Sequence, residues 1–214
     1  MADFMLVIGN KKYSSWSLRG WLMLKHAGVA FDEIAIRLNQ PETSAEILKY
    51  SPSGKVPAVL HQGRCIWESL AIGEYLAELF PDRQLWPSDP AARAMARSIS
   101  AEMHAGFTAL RQNLPMDMDE TDPHRAVTEE TRADIARITS IWNECRTNYG
   151  KGGDFLFGSF SIADAMYAPV VNRFSIYRVA LDEVSERYRR TMWDLPAMRE
   201  WREAARAEPW KIAI

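Results

Sequence analysis

"FMLVIGNKKYSSWSLRGWLMLKHAG", residues 4–28, decides how the chain begins to fold. Its first six residues form an apolar run ending in glycine, the pattern of a buried strand. From Ser15 the period lengthens. Trp16, Leu18, Trp21, Leu22 and Leu24 recur at helical spacing, and "HAG" supplies Gly28 as a C-cap. A strand feeding a helix is the opening of an α/β unit. Three serines, Ser14, Ser15 and Ser17, crowd the junction. One hydroxyl there caps the helix. Neither Ser14 nor Ser15 has Glu or Gln three residues on, so no reciprocal box of the usual kind forms. A second hydroxyl is then free, at the positive end of the helix dipole, to donate to a bound anion.

The alternation continues downstream. "FDEIAI" (31–36) reads as a strand and "ETSAEILKYS" (42–51) as a helix stopped before Pro52. "PAVLHQGRCIW" (57–67) reads as two short strands about a turn at Gln62-Gly63, and "ESLAIGEYLAELF" (68–80) as an amphipathic helix. The order β-α-β-α-β-β-α implies a parallel start and an antiparallel finish, a small mixed sheet covered by helices. "PDRQLWPSDP" (81–90) carries three prolines and reads as a linker. Beyond it the strand signals stop. Met95, Ile99, Met103, Phe107, Leu110 and Leu114 make one continuous helical stripe, and Ile135, Ile138, Trp142, Cys145 and Tyr149 another, with "PMDMDETDPH" (115–124) an acidic loop between them. A helix is expected after "FLFGSFSIADAMYAP", and shorter ones after it, one over 196–208. The chain is thus an α/β domain followed by an all-α domain.

Composition bounds the function. The 214 residues are 47% apolar and 25% charged, with a net charge of −2 and no basic block, which argues against a nucleic-acid surface. No apolar run is long enough to span a membrane, and the N-terminus makes a poor signal peptide. Cys65 and Cys145 lie far apart with no Cys/His cluster, so they read as reduced thiols of a cytoplasmic protein and not as a disulfide or a metal site. The eight tryptophans read as core.

Three further stretches carry chemistry. In "GKVPAV" (54–59), spacing alone favours a trans Pro57 before an edge strand, but a cis bond would turn the backbone of Val56 outward toward an extended peptide. In "WESLAI" (67–72), Glu68 and Ser69 stand at a helix N-terminus. They can simply cap it, or Ser69 can receive a ligand carboxylate while Glu68 pairs an ammonium. In "SFSIADA" (159–165), Ser161 and Asp164 have capping-box spacing and read as a folding signal. A serine nucleophile is disfavoured: His26, His61, His104 and His124 lie in no hydrolase motif, and there is no GxSxG.

In their order and spacing, "SSWSLRGW", "KVP", "ESLAI" and "SIADA" resemble the cytosolic glutathione S-transferase family over nearly the whole chain. The double-serine start is most similar to zeta-type and other serine-class bacterial members. The resemblance implies the glutathione S-transferase fold, with a thioredoxin-like domain at 1–80, a linker at 81–89 and an all-helical domain at 90–214. It implies that Ser14, or else Ser15, donates to the glutathione sulfur, with Tyr13 close enough to compete. Val56, before a cis Pro57, would pair with the cysteinyl backbone. Glu68 and Ser69 would hold the γ-glutamyl end, and Gln40 or Lys55 would meet the glycyl carboxylate. A small hydrophobic electrophile would sit between the domains against Trp16, Met103, His104, Phe107 and Arg111. His104 would be a wall residue and not a base, and Met103 and Phe107 could equally be core. The family implies a homodimer and glutathione as co-substrate, without a metal.

Zeta enzymes carry a cysteine after the two serines, where this chain has Trp16. Conjugation is therefore the main expectation. A glutathione-dependent cis-trans isomerase of the maleylacetoacetate type, a peroxidase and a non-catalytic interaction module are the alternatives. The chemistry fits the serines. A free thiol of pKa about 8.5 is only roughly 3% thiolate at pH 7. A hydrogen bond to the anion, worth about 1.5–3 kcal/mol, would raise that to roughly a quarter to three quarters.

Overall fold

The computed structural model describes residues 2–118 and 125–212. The acidic stretch expected as a loop over 115–124 lies outside the described residues from 119 onward, and so does His124.

The first domain is a four-stranded sheet with three helices. The strands are β1 (Phe4–Gly9), β2 (Phe31–Ile36), β3 (Ala58–His61) and β4 (Arg64–Trp67), in the order β2-β1-β3-β4. β1 and β2 run parallel, with Phe4 opposite Phe31. β1 and β3 are antiparallel, with Leu6 opposite Val59, and β3 and β4 form the expected hairpin, with Val59 opposite Ile66. Gln62 and Gly63 both have left-handed backbones, φ 49° and 74°, the geometry of a two-residue hairpin turn. The period of two sorts the side chains of β1. Phe4, Leu6 and Ile8 join the main core with helices α1 (Ser15–Ala27) and α3 (Ser69–Leu79). Val7 joins a smaller cluster with Ala58, Ile36 and Ile47 of helix α2 (Thr43–Leu48). α1 stops where expected, at Gly28, whose φ of 71° costs glycine little.

The second domain holds α4 (Pro90–Ala105), α5 (Thr108–Asn113), α6 (Glu129–Tyr149), α7 (Ile162–Ile176), α8 (Glu183–Asp194) and α9 (Pro196–Ala207). One core runs from Phe4 in the sheet to Trp201 in α9. Each large aliphatic or Phe side chain wholly withdrawn from water, such as Leu6, Leu18 or Phe174, contributes about 1.5–3 kcal/mol to that core. α7 is its axis, buried from Ile162 to Phe174, and it packs on α1, α4 and α8.

The stripe from Met95 to Leu114 is not one helix. It breaks at Gly106, which is extended, and at Phe107, which is left-handed at φ 56°. Glycine weakens the helix there, and burial of the Phe107 ring in the core holds the turn. The Ser161–Asp164 capping box is present. The Asp164 carboxylate accepts the Ser161 N–H at 2.8 Å, the Ser161 hydroxyl at 3.0 Å and the Leu156 N–H at 3.1 Å. Complete burial pushes this carboxyl up to about 6, even though the three donors pull the other way.

The β1–α1 loop is tied down from afar. Leu38 N–H donates to Asn10 Oδ1 at 2.8 Å, and Trp201 Nε1–H donates to the Lys11 carbonyl at 3.0 Å. The Glu208 carboxylate accepts the N–H groups of Lys11 and Lys12 at 2.8 and 3.2 Å. Met118 N–H reaches the Lys12 carbonyl at 3.2 Å. The loop that delivers Ser14 is thereby fixed by residues of both domains.

Candidate active site

A cavity of about 320 Å³ opens where the two domains meet. Its floor is the loop before β3. There Lys55, Val56 and Pro57 line it, and the Val56-Pro57 bond is cis, as the resemblance and not the spacing implied. α1 lies close against this loop because residue 20 is glycine: a Cβ there would stand 3.1 Å from Pro57 Cγ.

Glu68 and Ser69 form a second wall. Glu68 is the N-cap of α3, and its φ of 80° is a left-handed value that a non-glycine residue adopts only where its surroundings enforce it. Its carboxylate is fully engaged: Oε2 accepts the Leu70 N–H at 3.0 Å, and Oε1 accepts the Ser69 hydroxyl at 2.9 Å. His104, at the end of α4, completes the set with Nε2 2.7 Å from Glu68 Oε1. The pair therefore joins the two domains.

The third wall is Trp16, in the first turn of α1, and Arg111, on α5. The His104 ring stands edge-on to Trp16, 5.1 Å between centroids. The Arg111 and Arg19 guanidiniums lie 5.2 and 4.3 Å from the Trp16 ring centroid, within reach of its π face. Arg19 is wholly buried. Its Nε donates to the Met166 carbonyl at 2.9 Å, while its Nη2 has no partner among the described residues. Burial, then the charges of Arg173 and Arg111, push Arg19 well below the ordinary arginine value, and Glu68 opposes them. Burial, then Arg111, likewise brings Arg173 down to about 10. The back of the site thus holds a surplus of positive charge.

The serines divide the work at the start of α1. Ser14 is the buried N-cap: its Oγ accepts the Ser17 N–H at 3.3 Å and its O–H donates to Ser17 Oγ at 2.7 Å. Ser15, half-buried at the first helical position, makes no side-chain hydrogen bond among the described residues.

The geometry gathers Trp16, Lys55, Val56, Pro57, Glu68, Ser69, His104 and Arg111 around one cavity. Five expected members do not line it: Ser14 and Ser15 stand just before Trp16, which does, and Met103, Phe107 and Gln40 lie elsewhere. Met103 is wholly buried in the core, on the inward side of α4 next to His104. Phe107 is core as well, spent on the α4–α5 turn. Gln40 folds back on its own loop, its Nε2 donating to the carbonyls of Leu38 and Asn39. Ser53 and Trp67, not singled out from the sequence, do line the cavity. Both immediately flank motifs that were read, Ser53 before "GKVP" and Trp67 before Glu68. Among the described residues no cluster of metal-ligating side chains occurs, and no helix is long and apolar enough to cross a membrane.

The site is thus framed by a sheet of order β2-β1-β3-β4, a cis-proline loop beside a helix N-terminus and an all-helical domain packed against them. The models for the glutathione S-transferase N-terminal and C-terminal domains match residues 13–79 and 98–204, and the chain belongs to the glutathione S-transferase family. It is 33% identical to maleylacetoacetate isomerase of Rattus norvegicus over 78% of this chain and 76% of that one. It is 28% identical to a probable maleylacetoacetate isomerase of Caenorhabditis elegans over 86% and 85%. Among solved structures, a glutathione transferase homologue from Burkholderia with bound glutathione superposes with a TM-score of 0.74, at 22% identity, over 96% of this chain and 99% of that one.

Proposed function

We propose that this protein conjugates the thiolate of glutathione to a small hydrophobic electrophile. The observation that carries the reading is convergence: the free backbone of Val56, the Glu68–Ser69 pair and the first turn of α1 meet around one cavity. The three can engage the cysteinyl, γ-glutamyl and thiol portions of one tripeptide. Lys55 serves the glycyl carboxylate. Residues 1–80 then supply the glutathione half of the site, 81–89 the linker and 90–214 the electrophile wall of His104 and Arg111.

We assign thiolate stabilisation to the Ser15 hydroxyl. The Ser14 hydrogen is already committed to Ser17, whereas that of Ser15 has no acceptor among the described residues. The N–H groups of the first turn and the helix dipole favour the same anion. A homodimer in the cytoplasm fits the exposed Trp67 and Leu79 of the first domain and the two unpaired thiols of Cys65 and Cys145. The test is the ultraviolet absorbance of bound glutathione against pH. A thiol pKa lowered in wild type and restored in Ser15→Ala supports the assignment. Binding with an unshifted thiol favours a non-catalytic glutathione-binding module.

A second reading, glutathione-dependent isomerisation of an unsaturated acid, is favoured by Arg111 in the cavity wall, with Arg19 buried behind Trp16, and by the names of the two relatives above. In it the thiolate adds to a conjugated double bond, the bond rotates and glutathione leaves. Turnover of maleyl-type acids in preference to neutral electrophiles would select it.

A further inference from the structure

We propose that His104 gates the γ-glutamyl pocket by proton: the protonated imidazole competes with the ammonium of glutathione for Glu68. The inference rests on the glutathione reading above. Its physical basis is the contact between His104 Nε2 and Glu68 Oε1 at 2.7 Å, made across the domain boundary inside the cavity.

Glu68 is the carboxylate that lines the cavity among the described residues, and its two oxygens already hold the Ser69 hydroxyl, the Leu70 N–H and the His104 ring. A neutral imidazole donates one N–H and leaves the carboxylate charge for an incoming ammonium. A protonated imidazole cancels that charge and repels the ammonium. Among side chains, histidine is the one whose charge ordinarily changes between pH 5 and 8.

The other groups around His104 in the cavity are Trp16 from α1, Arg111 from α5 and Lys55 from the loop before β3, with the buried Arg19 against the Trp16 ring. Arginine and lysine side chains carry their positive charge throughout that range, and they add to the repulsion that a protonated His104 creates. Among the described histidines, His61 is taken by Tyr75 and the Phe4 ring, and His26 lies against Phe160, so neither faces Glu68.

Ligand binding and protonation of His104 are then linked, each opposing the other to the same degree. The probe is S-methylglutathione, whose sulfur carries no proton, together with its analogue lacking the γ-glutamyl amino group. Titration calorimetry at pH 5.5, 6.5 and 7.5 is expected to show wild-type affinity for S-methylglutathione falling about three- to tenfold on acidification, the size of a repulsion between two charges a few ångströms apart in a half-exposed site. The deamino analogue and the His104→Gln variant stay flat. In wild type near pH 6, binding releases a fraction of a proton, read as a dependence of the heat on buffer ionisation enthalpy. That measurement needs no variant.

Equal pH dependence in wild type and His104→Gln, or in the two ligands, or the absence of proton release, overturns the gate and leaves the glutathione reading intact. Failure of S-methylglutathione to bind at pH 7.5 overturns both.

Discussion

Ser14 and Ser17 bond to each other twice: the Ser17 N–H reaches Ser14 Oγ at 3.3 Å, and the Ser14 hydroxyl reaches Ser17 Oγ at 2.7 Å. Ser17 Oγ also accepts the Gly9 N–H at 3.0 Å, so the pair ties the end of β1 to the start of α1. The two neighbouring serines should therefore fail differently. Ser14→Ala loses a cap and is expected to lower the unfolding free energy by about 1 kcal/mol, read by urea denaturation. Ser15→Ala should leave that value within about 0.5 kcal/mol. It should lower kcat/KM for conjugation roughly 10- to 100-fold, the worth of a hydrogen bond to an anion. Equal activity losses in both variants would remove this division of labour.

Glu208 stands after the last helix yet grips the backbone of Lys11 and Lys12. Glu208→Ala frees two N–H groups of the loop that carries the serines. The expected result is a several-fold rise in KM for glutathione with unchanged circular dichroism, and partial rescue by Glu208→Gln, which keeps one acceptor oxygen. Unaltered kinetics in Glu208→Ala would show that the loop holds its shape without the clamp.

Asp164 gives a pH dependence of known sign. Burial raises its pKa from the usual 3.8 to about 6 in the folded chain, so the native state holds this proton more tightly than the unfolded state. The associated stability is complete below about pH 4 and is lost as pH rises through 6, about 3 kcal/mol in all. Subtracting the stability curve of Asp164→Asn from that of wild type should reveal this falling contribution between pH 4 and 6. A flat difference would show that the three donors around the carboxylate hold it ionised.

Arg111 is placed where its charge costs stability and can serve binding. It depresses both Arg19 and Arg173. Arg111→Met is expected not to lower the thermal midpoint. It should reduce kcat/KM about tenfold for a carboxylate-bearing electrophile and spare a neutral one of the same shape, as steady-state kinetics on the matched pair would show. Equal losses on both substrates would assign Arg111 to wall shape alone.

Much of the fold is written in local periods. The run 4–9 declares itself because both of its faces are buried, the stripe of α3 because one face is, and the turn because Gln62-Gly63 takes the left-handed backbone a tight hairpin needs. The break at Gly106–Phe107 does not, because the apolar spacing continues across it into α5, and one glycine weakens a helix without ending it until the tertiary seat of Phe107 is added. The same stripe explains Met103. One position along α4 separates a side chain sealed in the core from His104 at the cavity, and helical spacing near the edge of a stripe does not resolve that difference.

The site was legible as motifs and illegible as roles. "KVP" and "ESLAI" fall on walls of the cavity, yet the choice between Ser14 and Ser15 depends on where one hydroxyl hydrogen points. The Glu68–His104 contact joins residues 36 apart that no local pattern connects. Arg19 is the clearest omission. A charged residue in the apolar run "SLRGWL" signalled burial with a purpose, but its partners Met166 and Trp16 come from the fold.

The ties that Trp201 and Glu208 make to residues 11 and 12 also order events in time. On the ribosome the sheet and α1 emerge first, and domains fold as they emerge. The β1–α1 loop nevertheless waits for α9 before these three hydrogen bonds can close. A nascent chain therefore carries Ser14 and Ser15 on a loop without these ties until α9 and Glu208 have emerged.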